Sequence, residues 1–557
     1  MGMNSSISDS FVRLGNYVGD QRRTIRKCIL TSLFATVLLY LIPYICGALL
    51  NDIVEDGDRT DNIHFIVDVC TIIILMVIIW YIATTESKRK MALISLEIGK
   101  RMRVDMNDKM LKAPITFIES IPSGDLSSRF TYDLKMVTKL ISADYNGFVV
   151  HLTMIVAVII MMFVTSPLLA LVNMLLIPIV YLAVRRLTKQ SEKDFAVQKE
   201  MVSSLNMQMA EIVATHRTIK AENLEKEVLE NFESTNKEFS ESFIKARSLS
   251  GIIGPIVGVT VNTGYLVTVV VGAIMMIYGM LDVGMFMTFM IYVRTLTTPI
   301  NTAATVYNNI RDDIMSLDRV LEILEAPEEV HPGFRKFDVR GRLTMEDVCF
   351  SYPDGAEVLH SISLEVGPGE ITAITGPTGS GKTTVANLIM GFYKPSSGMI
   401  RIDDVDMNEI DISVLSASLS AVLQDPWIFE GTIRENIVYN SNASEERMLE
   451  FSKAVGIDGF VSKLPNGYDT VIGEEMHRLP LSQKRRIALA RAILRDPKIL
   501  ILDEAVAGID PISGQTILDL LKDYSRKHAV VIITHNQALI DQMDRVIRFD
   551  DGKVVSA

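Results

Sequence analysis

The sequence has little cysteine, little tryptophan and no excess of basic charge. Only four of its 557 residues are cysteine: Cys28, Cys46, Cys70 and Cys349. They are too few and too scattered for a disulfide framework or a zinc site, so unpaired apolar thiols are expected. Lysine and arginine number 55 against 67 aspartates and glutamates, a formal net charge of −12. That balance argues against a nucleic-acid partner, which calls for a basic face. Charged residues are also scarce, at 22% against 48% hydrophobic, and the mean hydropathy is +0.27. Such a composition is unusual in water and expected where part of a chain is solvated by lipid. Length excludes a single small domain, and the hydrophobic content excludes a disordered chain.

The apolar residues are concentrated toward the N-terminus. Six runs, at 28–50, 63–83, 147–164, 168–184, 252–278 and from 283 to near 303, approach or exceed the roughly 20 helical residues that cross a bilayer core. The third and fourth are parted only by Ser166 and Pro167, which predicts a tight hairpin. Arg22, Arg23, Arg26 and Lys27 precede the first run, Lys88, Arg89 and Lys90 follow the second, and Arg185 and Arg186 follow the fourth. By the positive-inside bias those ends are cytoplasmic, so both chain termini are expected inside. A short interfacial helix is expected over residues 8–20. The inward connections, 86–146 and 186–250, mix helical apolar periodicity with charge. Arms of about 25 residues out and 25 back would reach roughly 40 Å beyond the membrane.

Arg294 stands out as a cation about halfway through the sixth run, and intramembrane charges face a cavity or a partner acid. Asp68 is the only obvious acid within a run, and its depth does not match. Two readings follow: Arg294 lines a pathway for anionic or carboxylate-bearing cargo, or it pairs with an acid on another subunit. The 29 methionines suit either an adaptable cavity or lipid-facing packing.

Near Ala326 the composition shifts. A-P-E-E-V-H-P-G-F-R-K reads as a linker, and short β-rich runs then alternate with helical stretches, as in an α/β domain. Within it, I-T-A-I-T precedes Gly376-Pro377-Thr378-Gly379-Ser380-Gly381-Lys382-Thr383-Thr384, which opens a helical pattern. This strand–loop–helix setting is that of a phosphate-binding loop. Its glycines let backbone N–H groups close on phosphates, Lys382 reaches the β and γ oxygens of ATP, and Thr383 offers a hydroxyl to Mg²⁺. Further on, K-I-L-I-L-D-E is a buried strand ending in two carboxylates. Asp503 suits the Mg²⁺ shell, and Glu504 is placed to polarise an attacking water. A third strand, V-V-I-I-T-H, ends at His535, whose ring could contact the γ-phosphate from the same sheet edge.

These residues carry a resemblance to the ABC transporter superfamily, in particular to half-transporters with the exporter-type six-span fold, over essentially the whole chain. The resemblance implies an α-helical six-span transmembrane domain (1–325), a linker (326–342) and an α/β P-loop ATPase domain (343–557). It implies that Tyr352 stacks on adenine, that Gln424 in L-Q-D-P-W-I-F-E-G senses Mg²⁺ and the membrane half, and that Asp510 closes the D-loop. It also makes I-T-F-I-E-S-I-P-S-G-D-L-S-S-R-F-T-Y-D, with Arg129 and Asp133, a first coupling region and T-H-R-T-I-K-A-E-N-L-E-K-E a second, both pressing on nucleotide domains.

The sequence departs from the family at the signature L-S-G-G-Q. Ahead of the R-I-A-L-A-R-A helix, an ungapped alignment places Leu479, Pro480, Leu481, Ser482 and Gln483 there, and a gapped one that keeps Leu481 and Ser482 deletes both glycines. In the ungapped alignment Pro480 brings neither a hydroxyl nor an N–H, and Leu481 puts a side chain where backbone should approach the γ-phosphate. Two lost hydrogen bonds to a charged group, at roughly 1.5–3 kcal/mol each, weaken the clamp about 10²-fold or more. For folding alone, Pro480 and Ser482 suit a helix start, as first-turn proline and capping serine.

A homodimer would repeat the defect in both ATP sites. The expectation is therefore a heterodimer with a second half-transporter, the partner supplying an intact signature to this chain's phosphate loop. The cargo is expected to be an amphipathic small molecule, peptide or lipid, exported across the cell membrane. Import of a metal chelate, or a regulatory subunit that binds ATP without turning it over, are the competing readings.

Overall fold

The computed structural model describes residues 9–556 except 11, 16, 56–58, 330–332, 353–354, 356, 442, 474–478 and 507–510. The chain divides into two compact units, Met1–Asn107 with Gly124–Leu324, and Asp108–Ser123 with Glu325–Ala557.

The first unit is helical. Helices α1 (Arg22–Glu55) and α2 (Arg59–Lys112) lead it; the short α3 (Ile115–Glu119) goes with the second unit. Then come α4 (Tyr145–Thr165), α5 (Pro167–Met174), α6 (Leu176–Ala214), α7 (His216–Glu222), α8 (Glu225–Ile277), α9 (Val283–Thr295) and α10 (Thr297–Leu324). Among the described residues, four helical stretches are long and apolar enough to cross a membrane: Arg22–Val54, Ile63–Lys112, Ser123–Thr165 and Val283–Leu324. Six were expected. The run at 168–184 is divided at Leu175 between α5 and α6, and the run at 252–278 lies in α8, where Asn262–Ile277 is a shorter apolar stretch among the described residues. Several side chains in both runs lie outside the description. The hairpin turn is at Ser166, which is extended (φ −156°, ψ 103°), and Pro167 opens α5, where its missing N–H goes unneeded.

Spans α1 and α9 touch backbone to backbone. A Cβ on Gly47 would lie 2.6 Å from the carbonyl oxygen of Gly284, and one on Gly284 would lie 1.9 Å from that of Gly47. Only glycine permits this approach. Around the contact, the Gly284 N–H donates to Asn51 Oδ1 (2.6 Å), Thr288 Oγ1 to the Pro43 carbonyl (2.9 Å) and the Tyr292 hydroxyl to the Tyr40 carbonyl (2.8 Å). These bonds satisfy polar groups that lipid cannot.

The helical extensions beyond the apolar runs are held by buried charge. Arg129 pairs with Asp125 (3.0 Å) and Glu322 (2.7 Å), Arg319 with Asp133 (2.6 Å), and Lys139 with Asp144 (3.0 Å) and Asp313 (3.4 Å). Arg129 and Asp133, quoted with the first coupling region, are thus internal to the helical unit. Two residues of the stretch expected as an interfacial helix pack on α2 and α10. Ser10 Oγ donates to Asp318 Oδ1 (2.6 Å), and the Tyr17 hydroxyl donates to Asp105 with Arg101 over its ring at 5.8 Å. Asp105 lies about 30 Å of helix beyond the apolar run, where carboxylates rather than headgroups meet these hydroxyls.

The second unit contains two main sheets. Strands β1 (Leu343–Ser351), β2 (Glu357–Val366), β3 (Ile371–Thr375), β4 (Ser397–Ile402), β5 (Val405–Asp406), β6 (Leu419–Val422), β7 (Ile499–Asp503), β8 (Ala529–Ile533), β9 (Arg545–Asp550) and β10 (Lys553–Ser556) follow in chain order. The antiparallel sheet runs β2-β1-β4-β5, and the larger sheet runs β10-β9-β3-β8-β7-β6. In the latter β9, β3, β8, β7 and β6 are parallel. Every residue of β7 and β8 is buried, which is why both read as unbroken apolar runs. Parallel strands deliver their C-terminal ends to one edge, where α/β folds bind ligands.

Candidate functional site

Four of those strand ends supply the site. After β3 the chain turns through Gly376 (φ +152°), Gly379 (φ +83°) and Gly381 (φ +95°) into α11 (Lys382–Ile389). A Cβ on Gly376 would lie 2.2 Å from the Phe549 carbonyl, so backbone crowding as well as dihedral angle demands glycine. Pro377, Thr378 and Ser380 complete the loop, with Ser380 buried. Lys382 Nζ donates to the carbonyls of Pro377 (2.7 Å) and Gly376 (3.0 Å). Burial lowers the lysine's pKa, against the pull of Asp503 and Glu504.

Thr383 Oγ1 donates to Asp503 Oδ2 at 3.2 Å. Burial raises the Asp503 carboxyl's pKa, and the Thr383 bond opposes that. Among the described residues no group of three or more His, Cys, Asp and Glu is arranged to hold a metal. One hydroxyl beside one carboxylate nevertheless fits Mg²⁺, which takes few protein ligands and completes its shell with phosphate oxygens and water.

Glu504 follows Asp503 in a left-handed conformation (φ +49°), with its N–H bonded to the Ile533 carbonyl at 2.9 Å. This strained corner turns its side chain between two partners. Gln424 Nε2, beyond β6, donates to Glu504 Oε2 at 3.0 Å, and His535 Nδ1, beyond β8, lies 3.0 Å from Glu504 Oε1. The carboxylate is only 24% exposed and His535 68%. Gln424, Glu504 and His535, chosen from three separate strands, thus form one hydrogen-bonded set.

Tyr352 stands edge-on to Phe350 (4.9 Å) and Tyr393 (5.4 Å), its hydroxyl 3.1 Å from Thr384 Oγ1. The ring therefore sits beside the first turn of α11. Tyr393 also donates to Glu119 of α3, and burial pushes its phenol up to about 12. With Lys109–Glu328 (2.7 Å) and the Glu329 N–H on the Lys112 carbonyl (2.7 Å), this packs residues 108–123 on the nucleotide unit. Asp510 lies outside the described residues.

The signature segment is different in kind. Leu479 packs against the core around α12 (Leu481–Leu494), Pro480 precedes that helix with φ −54° and ψ 151°, and Leu481 is 44% exposed. The Pro480 carbonyl accepts from the N–H groups of Gln483 (3.0 Å) and Lys484 (3.1 Å). No side chain caps the helix. The expectation of a first-turn proline and a capping serine is therefore corrected: Pro480 occupies the cap position itself, and Ser482 is the second helical residue.

Two arginines of α12 escaped the sequence reading. Arg485 donates to the Gln424 carbonyl (3.1 and 3.3 Å). Arg491 donates to the carbonyls of Asn436 (2.7 Å) and Trp427 (3.0 Å) and covers the stacked rings of Phe429 and Tyr439 at 5.1 and 5.6 Å. Both stand in R-R-I-A-L-A-R, but no local signal there says which carbonyls they reach.

The comparisons identify the family. The ABC transporter transmembrane region family matches residues 25–300, and the ABC transporter family matches residues 359–507. The chain is similar to the "Fatty acid ABC transporter ATP-binding/permease protein" of Mycobacterium tuberculosis, at 32% identity over 468 residues, covering 83% of this chain and 74% of that one. It is also similar to the "Uncharacterized ABC transporter ATP-binding protein YknV" of Bacillus subtilis, at 30% over 552 residues, covering 98% and 90%. With these matches spanning both units, the chain belongs to the ABC transporters as an exporter-type, multi-pass half-transporter whose ATPase domain couples ATP hydrolysis to transport.

Proposed function

We propose that this chain is one half of a heterodimeric exporter with one hydrolysing and one degenerate ATP site. In this reading residues 1–325 form a six-span membrane domain with cytoplasmic termini in the cell membrane, 326–342 the linker and 343–557 the nucleotide domain. The loop Gly376–Thr384 cradles the ATP phosphates through its backbone N–H groups and Lys382. Thr383, Asp503 and Gln424 hold Mg²⁺, which supplies charge neutralisation at the phosphates. Tyr352 lies against adenine. Glu504 orients and polarises the attacking water, and His535 fixes the carboxylate while reaching toward the γ-phosphate. Asp510 closes the site against the partner.

The observation that carries the reading is the contrast between Glu504, held from two sides by Gln424 and His535, and the bare start of α12. There Pro480 has no N–H to give and the Leu481 side chain stands in the open. A partner with intact glycines would complete this chain's phosphate loop, while Leu479, Pro480, Leu481, Ser482 and Gln483 would face the partner's slower site. The short α7, mostly exposed, suits contact with the partner's nucleotide domain. The test is ATP turnover by the chain alone against turnover with a half-transporter that has L-S-G-G-Q. The chain alone is expected to be slower by about 10²-fold, and equal rates overturn the heterodimer.

The cargo in this reading is amphipathic. One relative is named for a fatty acid, which has that character. A purely regulatory subunit is favoured by the altered signature alone, and a held Glu504 has no use in it.

A further inference from the structure

We propose that Arg294 is the head-group site for cargo, and that the cargo is an amphiphile with an anionic, carboxylate-type head. The inference rests on the reading of this chain as an exporter of amphipathic molecules and supplies its substrate class.

Span α9 has two faces. Gly284, Thr288, Phe289, Tyr292 and Val293 are buried, and Gly284, Thr288 and Tyr292 are fastened to α1 by the bonds described above. Arg294 is two residues from Tyr292, about 200° around the helix, and so points away from that seam. It is exposed in its own chain, and no acidic side chain pairs with it among the described residues. At about 17 Å of helix from Val283 it is near the middle of a roughly 30 Å hydrocarbon core. An unpaired guanidinium at that depth does not face lipid.

Its neighbours continue the pattern. Thr298, Asn301 and Thr305 are exposed too, and with Arg294 they recur every three or four residues, so they form one polar stripe down one side of the span. The helix also lacks one backbone bond beside the cation, although Leu296 and Ile300 keep theirs to the Tyr292 and Leu296 carbonyls. α9 ends at Thr295 and α10 begins at Thr297. Pro299 follows, and it has no N–H to return to the Thr295 carbonyl. A carbonyl freed by proline at membrane depth is tolerated where a neighbour or a cavity satisfies it.

A cation at the top of a hydroxyl and amide stripe, in apolar surroundings, recognises a molecule with one negative head and a long apolar body. A guanidinium grips a carboxylate through two parallel N–H bonds. Neutral or cationic amphiphiles leave that fork unpaired, which costs them affinity.

The experiment compares two fluorescent probes of the same tail, cis-parinaric acid and its methyl ester. They are titrated without nucleotide against the full-length chain in the assembly in which it purifies, in nanodiscs, after subtraction of partition into empty nanodiscs. The acid is expected to bind about tenfold more tightly than the ester. Arg294→Gln should abolish that ratio, and Arg294→Lys should retain most of it. Equal affinity for acid and ester in the unaltered protein overturns the proposal without any variant. So does an unchanged ratio in Arg294→Gln, and if that variant also weakens subunit association, the cation pairs with a partner acid instead. Because no ATP is present, failure here leaves the account of the ATP sites standing.

Discussion

The phosphate loop and the start of α12 are both junctions where a chain enters a helix, yet they are made of opposite materials. At the first, Gly376, Gly379 and Gly381 adopt positive φ and leave the backbone bare ahead of Lys382. At the second, a proline with φ −54° and a leucine 44% exposed occupy the same stage of the entry. A helix N-terminus is a latent anion site in every protein, through its unpaired N–H groups and dipole. Whether it becomes one depends on access. Glycine grants it, while Pro480 has no N–H to give and Leu481 carries an exposed side chain where a glycine would carry none.

The sharpest way to break the comparison is at the competent face. Glu504→Gln keeps the shape and the Gln424 contact but removes the charge proposed to polarise water. ATP turnover in the assembled transporter is expected to fall about 10³-fold, with nucleotide binding retained when measured by equilibrium titration. A fall of less than tenfold would show that another group activates the water and that the asymmetry lies elsewhere.

The converse change gives the start of α12 the glycines of the phosphate loop. Replacing Pro480→Ser, Leu481→Gly and Ser482→Gly together restores L-S-G-G-Q, and turnover by the chain alone is expected to rise about 10²-fold. The added glycines cost the helix start up to about 1 kcal/mol each, so the melting temperature should drop slightly while activity climbs. A stable triple variant with no gain in turnover would mean that the missing glycines are not what limits the chain.

How much of this was legible beforehand follows from locality. The phosphate loop could be read because strand, glycines, lysine and helix lie within one short stretch whose geometry is set by adjacent residues. The grouping of Gln424, Glu504 and His535 was also within reach, since apolar runs of parallel strands must end on one edge. Contacts between distant segments were not legible. Nothing local says that Ser10 and Tyr17 pack on Asp318 and Asp105 rather than lying at the membrane. Nor does it say that residues 108–123 leave the helical unit to meet Tyr393 and Glu328. Arg129 and Asp133 looked like interface charges because charge usually means surface, and ion pairing buried them.

A smaller effect is expected at the link between the two faces. Arg485 on α12 holds the Gln424 carbonyl, so the segment that touches Glu504 is tied to the helix that carries the signature. Arg485→Met removes one charge-assisted interaction, worth about 1.5 kcal/mol, and turnover should fall about tenfold. A melting temperature that drops while turnover per folded molecule stays constant would reduce Arg485 to a structural tie.

The smallest effect belongs to Ser482. A serine at a helix cap typically contributes about 1 kcal/mol, because its hydroxyl satisfies an otherwise unpaired N–H. Ser482 is one residue past the first helical position, and no side chain caps this helix, so that contribution is absent here. Ser482→Ala is expected to change stability by less than about 0.5 kcal/mol, measured as the thermal midpoint of the purified chain. A loss near the cap value would show that the hydroxyl supports the helix start after all. The segment would then owe part of its departure from L-S-G-G-Q to folding, and the contrast with the glycine-lined phosphate loop would reflect two ways of starting a helix as well as two ways of meeting a phosphate.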